Sequence, residues 1–334
     1  MKKTLLFRVD GGRIWGTSMG HIRRALLVAG ALKDKYDVIF VMKNYSDGVG
    51  FVRDRGIVVD TIGTDDDTDK TIIDLCEKFK PQKLFVDLAV CPYNQLFEYA
   101  RLNNISSVIF DIAGKFSGDA DILINDSFVR EFTEYPEISS RTSKYLGPKY
   151  FIMENSSIPI LAPKEIEDIM ITMGGSDPSG TTVKILRSLP DTFSEFKVNI
   201  VLGPLFIGKD EIQQIADSSD FISIYDNPVD FIRLLSQQDL VITAAGRTLY
   251  ECAFFGKTVI MVPTIEHEAI ASREYSILTG SLDIGRWEDK RSPLRLSEAL
   301  AAYQSDFSIR QGIHEKSRQL VDGQGLKRVL EVIN

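Results

Sequence analysis

Residues 169–189 read IMITMGGSDPSGTTVKILRSL, and this stretch decides the fold class. Ile169–Met173 is a short run of apolar and β-branched residues, which is typical of a buried strand. Gly174 and Gly175 break that run, and Thr181–Leu189 then carries apolar residues at helical spacing. A strand, a glycine turn and a helix in this order predict an α/β unit with a parallel sheet.

The same alternation runs through the rest of the chain. The first half contains strand candidates at Leu5–Val9, Asp37–Met42, Val58–Ile62, Leu84–Asp87, Ser107–Asp111 and Ile122–Asn125, separated by helical patterns such as Ile22–Leu32 and Thr71–Lys78. The second half adds Lys197–Leu202, Phe221–Tyr225, Leu240–Ala244 and Thr258–Val262 to the strand already described. We therefore expect two doubly wound, Rossmann-like parallel sheets with a ligand cleft between them.

Chain breakers mark one boundary between these halves. Residues 146–165 contain glycine, prolines and serines with few periodic apolar positions, which is typical of a linker. We predict an N-terminal domain over residues 1–150 and a C-terminal domain over 151–334. The apolar spacing of Leu326–Ile333 predicts a closing helix for the second domain.

Composition excludes several classes of protein. The 334 residues include 39 Lys and Arg against 47 Asp and Glu, a net charge of -8 that opposes binding to nucleic acid or anionic lipid. Apolar runs stay shorter than the ~20 residues that span a bilayer, so no integral membrane span is expected. Cys76, Cys91 and Cys252 lack the spacing of a zinc site or a disulfide framework, which favours a cytoplasmic protein without a metal or cofactor. The oligomeric state is not indicated.

The first strand leads into a candidate catalytic segment. Asp10 follows that strand, and Gly20-His21 opens the next helix after a polar loop. Gly20 permits close approach of a ligand, and the helix N-terminus favours an anion. The same positive end favours a neutral imidazole at His21, which can act as a general base. The alternative is a capping or packed histidine without a catalytic role.

Two later segments are candidates for nucleotide binding. Gly174, Gly175, Ser176 and Asp177 can form an anion cradle for a diphosphate, although Asp177 can equally cap the helix that follows. The GK[ST] ending of a P-loop is missing, which disfavours nucleoside triphosphate hydrolysis. In the other segment, Gly246 precedes Thr248 and Glu251, which can hold ribose hydroxyls or form a capping box.

The loop after the last predicted strand is polar. His267 and Glu268 lie in this loop and can face a sugar. A metal site there would need more convergent ligands than the loop supplies, so no metal is expected.

Five quoted segments together resemble the MurG-like GT-B superfamily and, within it, the UDP-sugar hydrolase of the pseudaminic acid pathway and its spore-coat polysaccharide relatives. The segments are Arg8-x-Asp10 with Gly20-His21-x-x-Arg24, Leu146-Gly147-Pro148-Lys149-Tyr150, Met173-Gly174-Gly175-Ser176-Asp177-Pro178, Gly246-x-Thr248-x-x-Glu251, and Val321-Asp322-Gly323-Gln324-Gly325-x-x-Arg328-Val329. The resemblance implies that His21 is the catalytic base, that Gly174 to Asp177 meet the diphosphate, and that Thr248 and Glu251 hold the ribose. Its sugar-side residues would be Asp10, Gly20, Arg24, Asp87, His267 and Glu268.

The sequence departs from the family pattern at three places. Ser18 stands where the family has glycine, Asp87-Leu88-Ala89 where it has Asp-His-Tyr, and His267-Glu268 where it has Asn-Gln. The last two changes fall where a sugar or an acceptor would be recognised.

The resemblance implies an inverting hydrolysis that needs no metal. A nucleotide-activated sugar, UDP-linked by this resemblance, would be split into UDP and free sugar during synthesis of a surface polysaccharide or a nonulosonic acid. Three alternatives remain open at this point. They are a glycosyltransferase with a sugar or lipid hydroxyl as acceptor, a hydrolysing sugar 2-epimerase, and a non-catalytic nucleotide-sugar-binding protein.

Overall fold

The computed structural model describes residues 2–12, 19–154, 158, 161–288 and 290–333. Ser18 and most of the loop before it therefore lie outside the described residues, as does part of the predicted linker. The chain forms two units. Unit 1 comprises Met1–Met153 and Gln324–Asn334, and unit 2 comprises Glu154–Gly323.

Unit 1 is built on a seven-stranded parallel sheet. Its strands are β1 (Lys3–Val9), β2 (Tyr36–Lys43), β3 (Val58–Ile62), β4 (Lys83–Asp87), β5 (Ser106–Phe110), β6 (Ile122–Asn125) and β7 (Ser143–Leu146). They lie in the order β3-β2-β1-β4-β5-β6-β7. The helices between them are α1 (Met19–Leu32), α2 (Ser46–Arg53), α3 (Asp69–Phe79) and α4 (Leu96–Leu102), with short 3₁₀ turns at Arg130–Thr133 and Pro148–Tyr150. All strands predicted for this half are confirmed.

Unit 2 repeats the doubly wound plan with six parallel strands. These are β8 (Asp168–Thr172), β9 (Lys197–Leu202), β10 (Ile222–Asp226), β11 (Leu240–Thr243), β12 (Thr258–Met261) and β13 (Leu282–Asp283), in the order β10-β9-β8-β11-β12-β13. The helices are α5 (Thr181–Arg187), α6 (Lys209–Asp217), α7 (Phe231–Ser236), α8 (Arg247–Phe255), α9 (Glu266–Thr279), α10 (Ser292–Ser305) and α11 (Phe307–Leu320), with a 3₁₀ turn at Asp191–Glu195. The predicted strands of this half are confirmed to within one or two residues.

Each sheet has one point where the strand order reverses. It lies between β1 and β4 in unit 1 and between β8 and β11 in unit 2. In open α/β sheets a ligand binds beyond the carboxyl ends of the strands at this point. The loops that follow these four strands are therefore where each unit is expected to carry its site.

Side-chain alternation separates the two faces of the unit 1 sheet. Phe7 contacts Phe40 and Phe85 with ring centroids 4.9 Å and 5.0 Å apart, so these rings share one face. Since successive residues of a strand point to opposite faces, Asp87 belongs to the face of Phe85. Arg8 belongs to the other face.

The last helix departs from the predicted domain boundaries. We expected a domain over 151–334 closed by this helix, but α12 (Gly325–Ile333) belongs to unit 1. Arg328 donates to the carbonyl of Lys149 at 2.8 Å, and the Lys83 ammonium donates to the carbonyl of Ile333. The spacing of apolar residues predicts that α12 buries one face, but it does not specify which unit covers that face.

Candidate functional site

His21 and Asp87 form a buried pair in unit 1. His21 lies in the first turn of α1, and Asp87 is the last residue of β4, on the other side of the switch point. The His21 Nδ1 atom lies 2.7 Å from Oδ1 of Asp87, and the two side chains are 4% and 0% exposed. The strand order thus brings together two residues that are 66 positions apart in the sequence.

Arg24 contacts this pair through Asp87. Its Nε and Nη2 atoms donate to the two carboxylate oxygens of Asp87 at 2.8 Å and 2.6 Å, which is a bidentate contact. Its Nη1 atom lies 3.6 Å from Oδ2 of Asp126, and its guanidinium stacks 3.8 Å from the ring centre of Phe110. Little of the guanidinium is left for contact with a sugar, which is the role predicted for Arg24 from the sequence.

These contacts determine the charge of Asp87 and the tautomer of His21. Burial alone would raise the pKa of Asp87, but Arg24 and His21 outweigh burial and lower that pKa to about 2. The carboxylate is therefore ionised near neutral pH and can only accept hydrogen bonds. The proton of a neutral His21 must then lie on Nδ1, which leaves Nε2 as the basic nitrogen.

A second buried charge cluster lies on the opposite face of the same sheet. Arg8 is fully buried, and its Nη2 atom donates to Asp10 at 2.6 Å and to Asp67 at 2.7 Å. Its Nε atom donates to the Tyr93 hydroxyl at 2.7 Å, and that hydroxyl donates to Asp67. Asp10 also accepts the N–H of Lys43 at 2.8 Å. Both oxygens of Asp10 are thus engaged within the protein, whereas the sequence predicted a sugar-side role for it.

This cluster leads to a prediction about stability. Arg8→Met would leave Asp10 without its buried counter-charge and Asp67 with only the partly exposed Lys43 at 3.3 Å. Loss of one partner of a buried ion pair typically costs about 3–5 kcal/mol of unfolding free energy. Urea denaturation followed by circular dichroism measures this loss. The control is Arg130→Met, which breaks the exposed pair with Glu134 and should cost less than about 1 kcal/mol. A loss equal to that of the control would contradict a stabilising role for Arg8.

In unit 2, the glycine loop follows β8 as the sequence predicted. Gly174 has a φ of +82°, a conformation that favours glycine, and Asp177 has a φ of +42°. The carboxylate of Asp177 accepts the N–H groups of Thr181 and Thr182 at 2.9 Å and 2.7 Å. Asp177 thus binds the first N–H groups of α5 as the capping alternative expects, although the N-cap residue itself is Gly180. Gly174, Gly175 and Ser176 remain candidates for contact with a diphosphate.

Gly203 holds this glycine loop in place. A Cβ atom at Gly203 would overlap the carbonyl oxygens of Gly174 and Gly175. The N–H of Leu205 donates to the same Gly175 carbonyl at 3.0 Å. The loop after β9 thus packs directly beneath the candidate diphosphate loop.

A single methyl group at Gly203 should disturb that packing. We expect Gly203→Ala to displace the 174–176 loop, lower the free energy of unfolding by about 1–3 kcal/mol, and weaken binding of UDP. Gly312→Ala is the matched control, because Gly312 lies inside α11 with no atom near its missing Cβ. Alanine there should stabilise the helix by about 0.5–1 kcal/mol and leave UDP binding unchanged. Isothermal calorimetry with UDP and urea denaturation measure both effects. Undiminished UDP affinity in Gly203→Ala would remove the loop from the nucleotide site.

The structure distinguishes between two interpretations of Thr248 and Glu251. Helix α8 begins at Arg247 with Gly246 as its N-cap, and Thr248 is its second residue. A capping box requires the threonine at the N-cap position, so the capping box is not formed here. Thr248 and Glu251 lie three residues apart on the helix, at the end of the sheet where the β11 loop emerges. The ribose-binding role remains a prediction.

Glu268 comes close to this helix start. Its Oε2 atom accepts the N–H and the hydroxyl of Thr264 at 2.8 Å and 2.7 Å, at the beginning of α9. Its Oε1 atom lies 3.7 Å from the position that a Cβ of Gly246 would take. The sequence placed His267 and Glu268 in a loop, but both lie in the first turn of α9. Glu268 lies there beside the loop that follows β11.

Metal-binding side chains do not converge in the described part of the chain. Those ranges contain no group of three or more His, Cys, Asp or Glu that could hold an ion. Within them, the helices are also too short or too polar to cross a bilayer.

Three charged or polar residues of unit 1 were missed from the sequence. Asp126 directly follows the predicted strand β6. Its position after a strand could therefore have identified it as a residue at the carboxyl edge of the sheet. Asp67 and Tyr93 lie in loops whose sequences carry no motif. Only the strand order shows that these loops meet at Arg8.

Two proteins resemble the chain in sequence, and no protein-family model matches it. The uncharacterized protein MJ1062 of Methanocaldococcus jannaschii is 30% identical over 264 residues, which is 73% of this chain and 52% of that protein. The chain thus spans about half the length of this relative. The spore coat polysaccharide biosynthesis protein SpsG of Bacillus subtilis is 23% identical over 335 residues, which is 97% of this chain and 96% of SpsG.

Solved structures resemble the chain over almost its full length. MurG of Acinetobacter baumannii has a TM-score of 0.67 and 16% identity, covering 99% of both chains. The chain has the GT-B glycosyltransferase fold. The spinosyn rhamnosyltransferase SpnG, solved with thymidine diphosphate, has a TM-score of 0.65 and 12% identity over 98% of this chain and 100% of its own. HepE of Anabaena, solved with UDP-glucose, has a TM-score of 0.57 and 13% identity over 98% of this chain and 99% of its own.

Proposed function

We propose that this protein is an enzyme that transfers a sugar from a nucleoside diphosphate, with His21 as its general base. The observation that carries the proposal is the hydrogen bond from His21 Nδ1 to the ionised Asp87, because it leaves Nε2 as the basic nitrogen. Arg24 holds the carboxylate in place, so the carboxylate orients the imidazole as the third member of a base-and-orienting-group arrangement does.

The proposed step is a single displacement at the anomeric carbon. The oxygen of water or of another hydroxyl forms the new bond to carbon while its proton passes to Nε2 of His21. The bond to the diphosphate breaks, and the nucleotide leaves with the bonding electron pair. The anomeric configuration inverts because no covalent enzyme intermediate is formed. Asp87 stabilises the imidazolium that results.

The nucleotide is assigned to unit 2. The N–H groups of Gly174, Gly175 and Ser176, in a loop with a left-handed residue, are suited to a diphosphate. Thr248 and Glu251 can hold the ribose hydroxyls, as acidic residues do in other α/β nucleotide sites. Binding of thymidine diphosphate and UDP-glucose by proteins with the same fold supports this assignment.

The acceptor defines two forms of the proposal. Hydrolysis of a UDP-sugar, as in the pseudaminic-acid-pathway hydrolase, is the form indicated by the sequence motifs around His21. Glycosyl transfer to a sugar or lipid hydroxyl is the second form, and it is favoured by the glycosyltransferases that share this fold. Either reaction can serve the synthesis of a surface polysaccharide. The name of the Bacillus subtilis relative, a spore coat polysaccharide biosynthesis protein, supports such a role.

The experiment that tests this function uses the purified chain and a panel of UDP- and CMP-activated sugars. Nucleotide release is followed first without an acceptor and then with sugar and lipid hydroxyl acceptors. Release without an acceptor establishes the hydrolase, and release only with an acceptor establishes the transferase. Tight nucleotide-sugar binding without release under any condition would overturn the enzymatic proposal in favour of a binding protein.

A further inference from the structure

A second buried carboxylate lies behind the His21–Asp87 pair. Asp126 follows β6, is 4% exposed, and has Oδ2 3.6 Å from Nη1 of Arg24. Arg24 therefore lies between two carboxylates, with Asp87 on the side of His21 and Asp126 on the other side. The neutral-pH sugar chemistry proposed above assigns no role to Asp126.

The charges of this cluster matter because it is buried. We take Asp126 to be ionised because its Oδ2 atom faces the Arg24 guanidinium. Arg24 then contributes one positive charge and Asp87 and Asp126 two negative charges, so the cluster is negative by one while His21 is neutral. Protonation of His21 brings the total to zero. Without Asp126, Arg24 would already cancel Asp87, and protonation of His21 would leave one uncompensated positive charge. Such a charge is costly in a buried site.

Other charged groups near α1 are paired or lie in solvent. Arg8 and Asp10 share the opposite sheet face with Asp111, which follows β5 and accepts the Tyr135 hydroxyl at 3.0 Å. On the helices that pack against α1, Asp47 and Arg53 of α2 and Lys327 and Glu331 of α12 are exposed. Arg328 of α12 is half-buried and donates to the carbonyl of Lys149. Solvent screens such charges, so Asp126 is the buried carboxylate best placed to offset Arg24.

We propose that Arg24 and Asp126 are positioning residues for His21. Arg24 fixes the carboxylate of Asp87 against Nδ1, and Asp126 restores the negative charge that Arg24 removes, so that the cluster can take up one proton. This inference rests on the proposed role of His21 as a base. It assigns Arg24 a place behind the histidine instead of the sugar contact expected from the sequence.

The test observes His21 directly and needs no substrate. The sequence contains three histidines, so the ring ¹⁵N and ¹H signals of His21 can be assigned by comparison with His21→Gln. In the wild-type chain we expect the neutral ring to carry its proton on Nδ1. In Asp126→Asn, the midpoint of His21 protonation should move to lower pH by about 0.5–1 unit, less than the effect of a directly bonded partner.

A conservative variant separates charge from packing. Asp126→Glu keeps the charge and changes the shape, so we expect a protonation midpoint close to that of the wild-type chain. Asp74→Asn, at an exposed pair with Lys70, is the control and should have no effect. An unchanged midpoint in Asp126→Asn, or a Glu variant that behaves like the Asn variant, would overturn the proposal. Should Asp126→Asn fail to fold, Asp126→Ser removes the same charge with a smaller side chain, and the same shift to lower pH is expected.

Arg24→Lys tests the other half of the proposal. Lysine keeps the charge but cannot make the bidentate contact with Asp87, so we expect His21 to lose its single Nδ1–H tautomer while UDP binding is retained. A single Nδ1–H tautomer in this variant would show that Arg24 does not position Asp87. Because these readouts come from the ring itself, they stand even where no nucleotide-sugar is turned over. Failure of the proposed function would appear separately, in the nucleotide-release panel.

Discussion

Replacing His21 by glutamine is expected to lower the turnover of a nucleotide-sugar by about 10²–10⁴-fold, the usual contribution of a general base. Glutamine has no group that can take the proton from the attacking oxygen at neutral pH. The nucleotide contacts assigned to unit 2 do not involve His21, so the affinity for UDP should not change. Steady-state release of UDP and calorimetric UDP binding measure the two quantities on the same preparation.

The control for this variant is a half-buried histidine in unit 2, outside the proposed site. His314 lies on α11, with Nδ1 3.1 Å from the carbonyl of Gly256, and burial lowers its pKa. His314→Gln removes a ring of the same size from unit 2 and should leave turnover within about threefold of the wild-type rate. Equal losses in the two variants would mean that His21 acts through the fold and not as the base.

Replacing Asp87 by asparagine is expected to have the second large effect. Asparagine can donate to Nδ1 of His21, which would place the ring proton on Nε2 and remove the basic nitrogen. We expect turnover to fall by about 10²–10⁴-fold, as for loss of the base itself. The variant should also be less stable by about 2–3 kcal/mol, because Arg24 loses its bidentate hydrogen bonds to a carboxylate while Asp126 remains as its counter-charge.

The pH dependence of stability should change in the same variant. The pKa of Asp87 is about 2 in the folded chain against an ordinary value of 3.8. A carboxyl group whose folded pKa is lowered stabilises the fold above its unfolded pKa, and this stabilisation, about 2 kcal/mol, is lost as the pH falls from about 4 to about 2. Urea midpoints measured across that window should therefore fall more steeply for the wild-type chain than for Asp87→Asn. Identical pH profiles would contradict an ionised Asp87.

The sequence predicts the sheets well because most of their strands are continuous apolar runs. It misses β7, whose residues Ser143–Leu146 are half polar, and β13, which has only two residues. Edge strands of this kind lack the apolar signal of a strand that is buried on both faces. The placement of α12 is missed for a different reason, since an amphipathic helix shows that it buries a face without showing which unit it packs against.

The sequence names His21, Asp87 and Arg24 as site residues, but it does not predict the hydrogen bonds between them. The sequence identifies His21 from its place at a helix start, whereas Asp87 is named only through the resemblance to the GT-B superfamily. Their hydrogen bond depends on the adjacency of β1 and β4, which no local pattern specifies. The same holds for Arg24, whose short spacing from His21 predicts a shared helix face but not the two carboxylates on either side of it.

The unit 2 segments illustrate the limits of short motifs. Asp177 had two possible roles, and the structure shows the cap because its carboxylate reaches the N–H groups of Thr181 and Thr182. Thr248 and Glu251 have the spacing of a capping box, but the helix begins at Arg247, two residues before the start that Thr248 as the N-cap would require. A shift of two residues in a helix start thus changes the role that a three-residue spacing can have.

The most direct test of His21 as the base of an inverting sugar transfer is the anomeric configuration of the first product, followed by ¹H NMR in the wild-type chain and in His21→Gln side by side. The nucleotide-sugar and acceptor are those found to release UDP most rapidly. We predict that the wild-type chain forms the inverted anomer together with UDP and that His21→Gln forms neither at a comparable rate. A retained anomer, or an inverted anomer formed at the wild-type rate by His21→Gln, would contradict the mechanism.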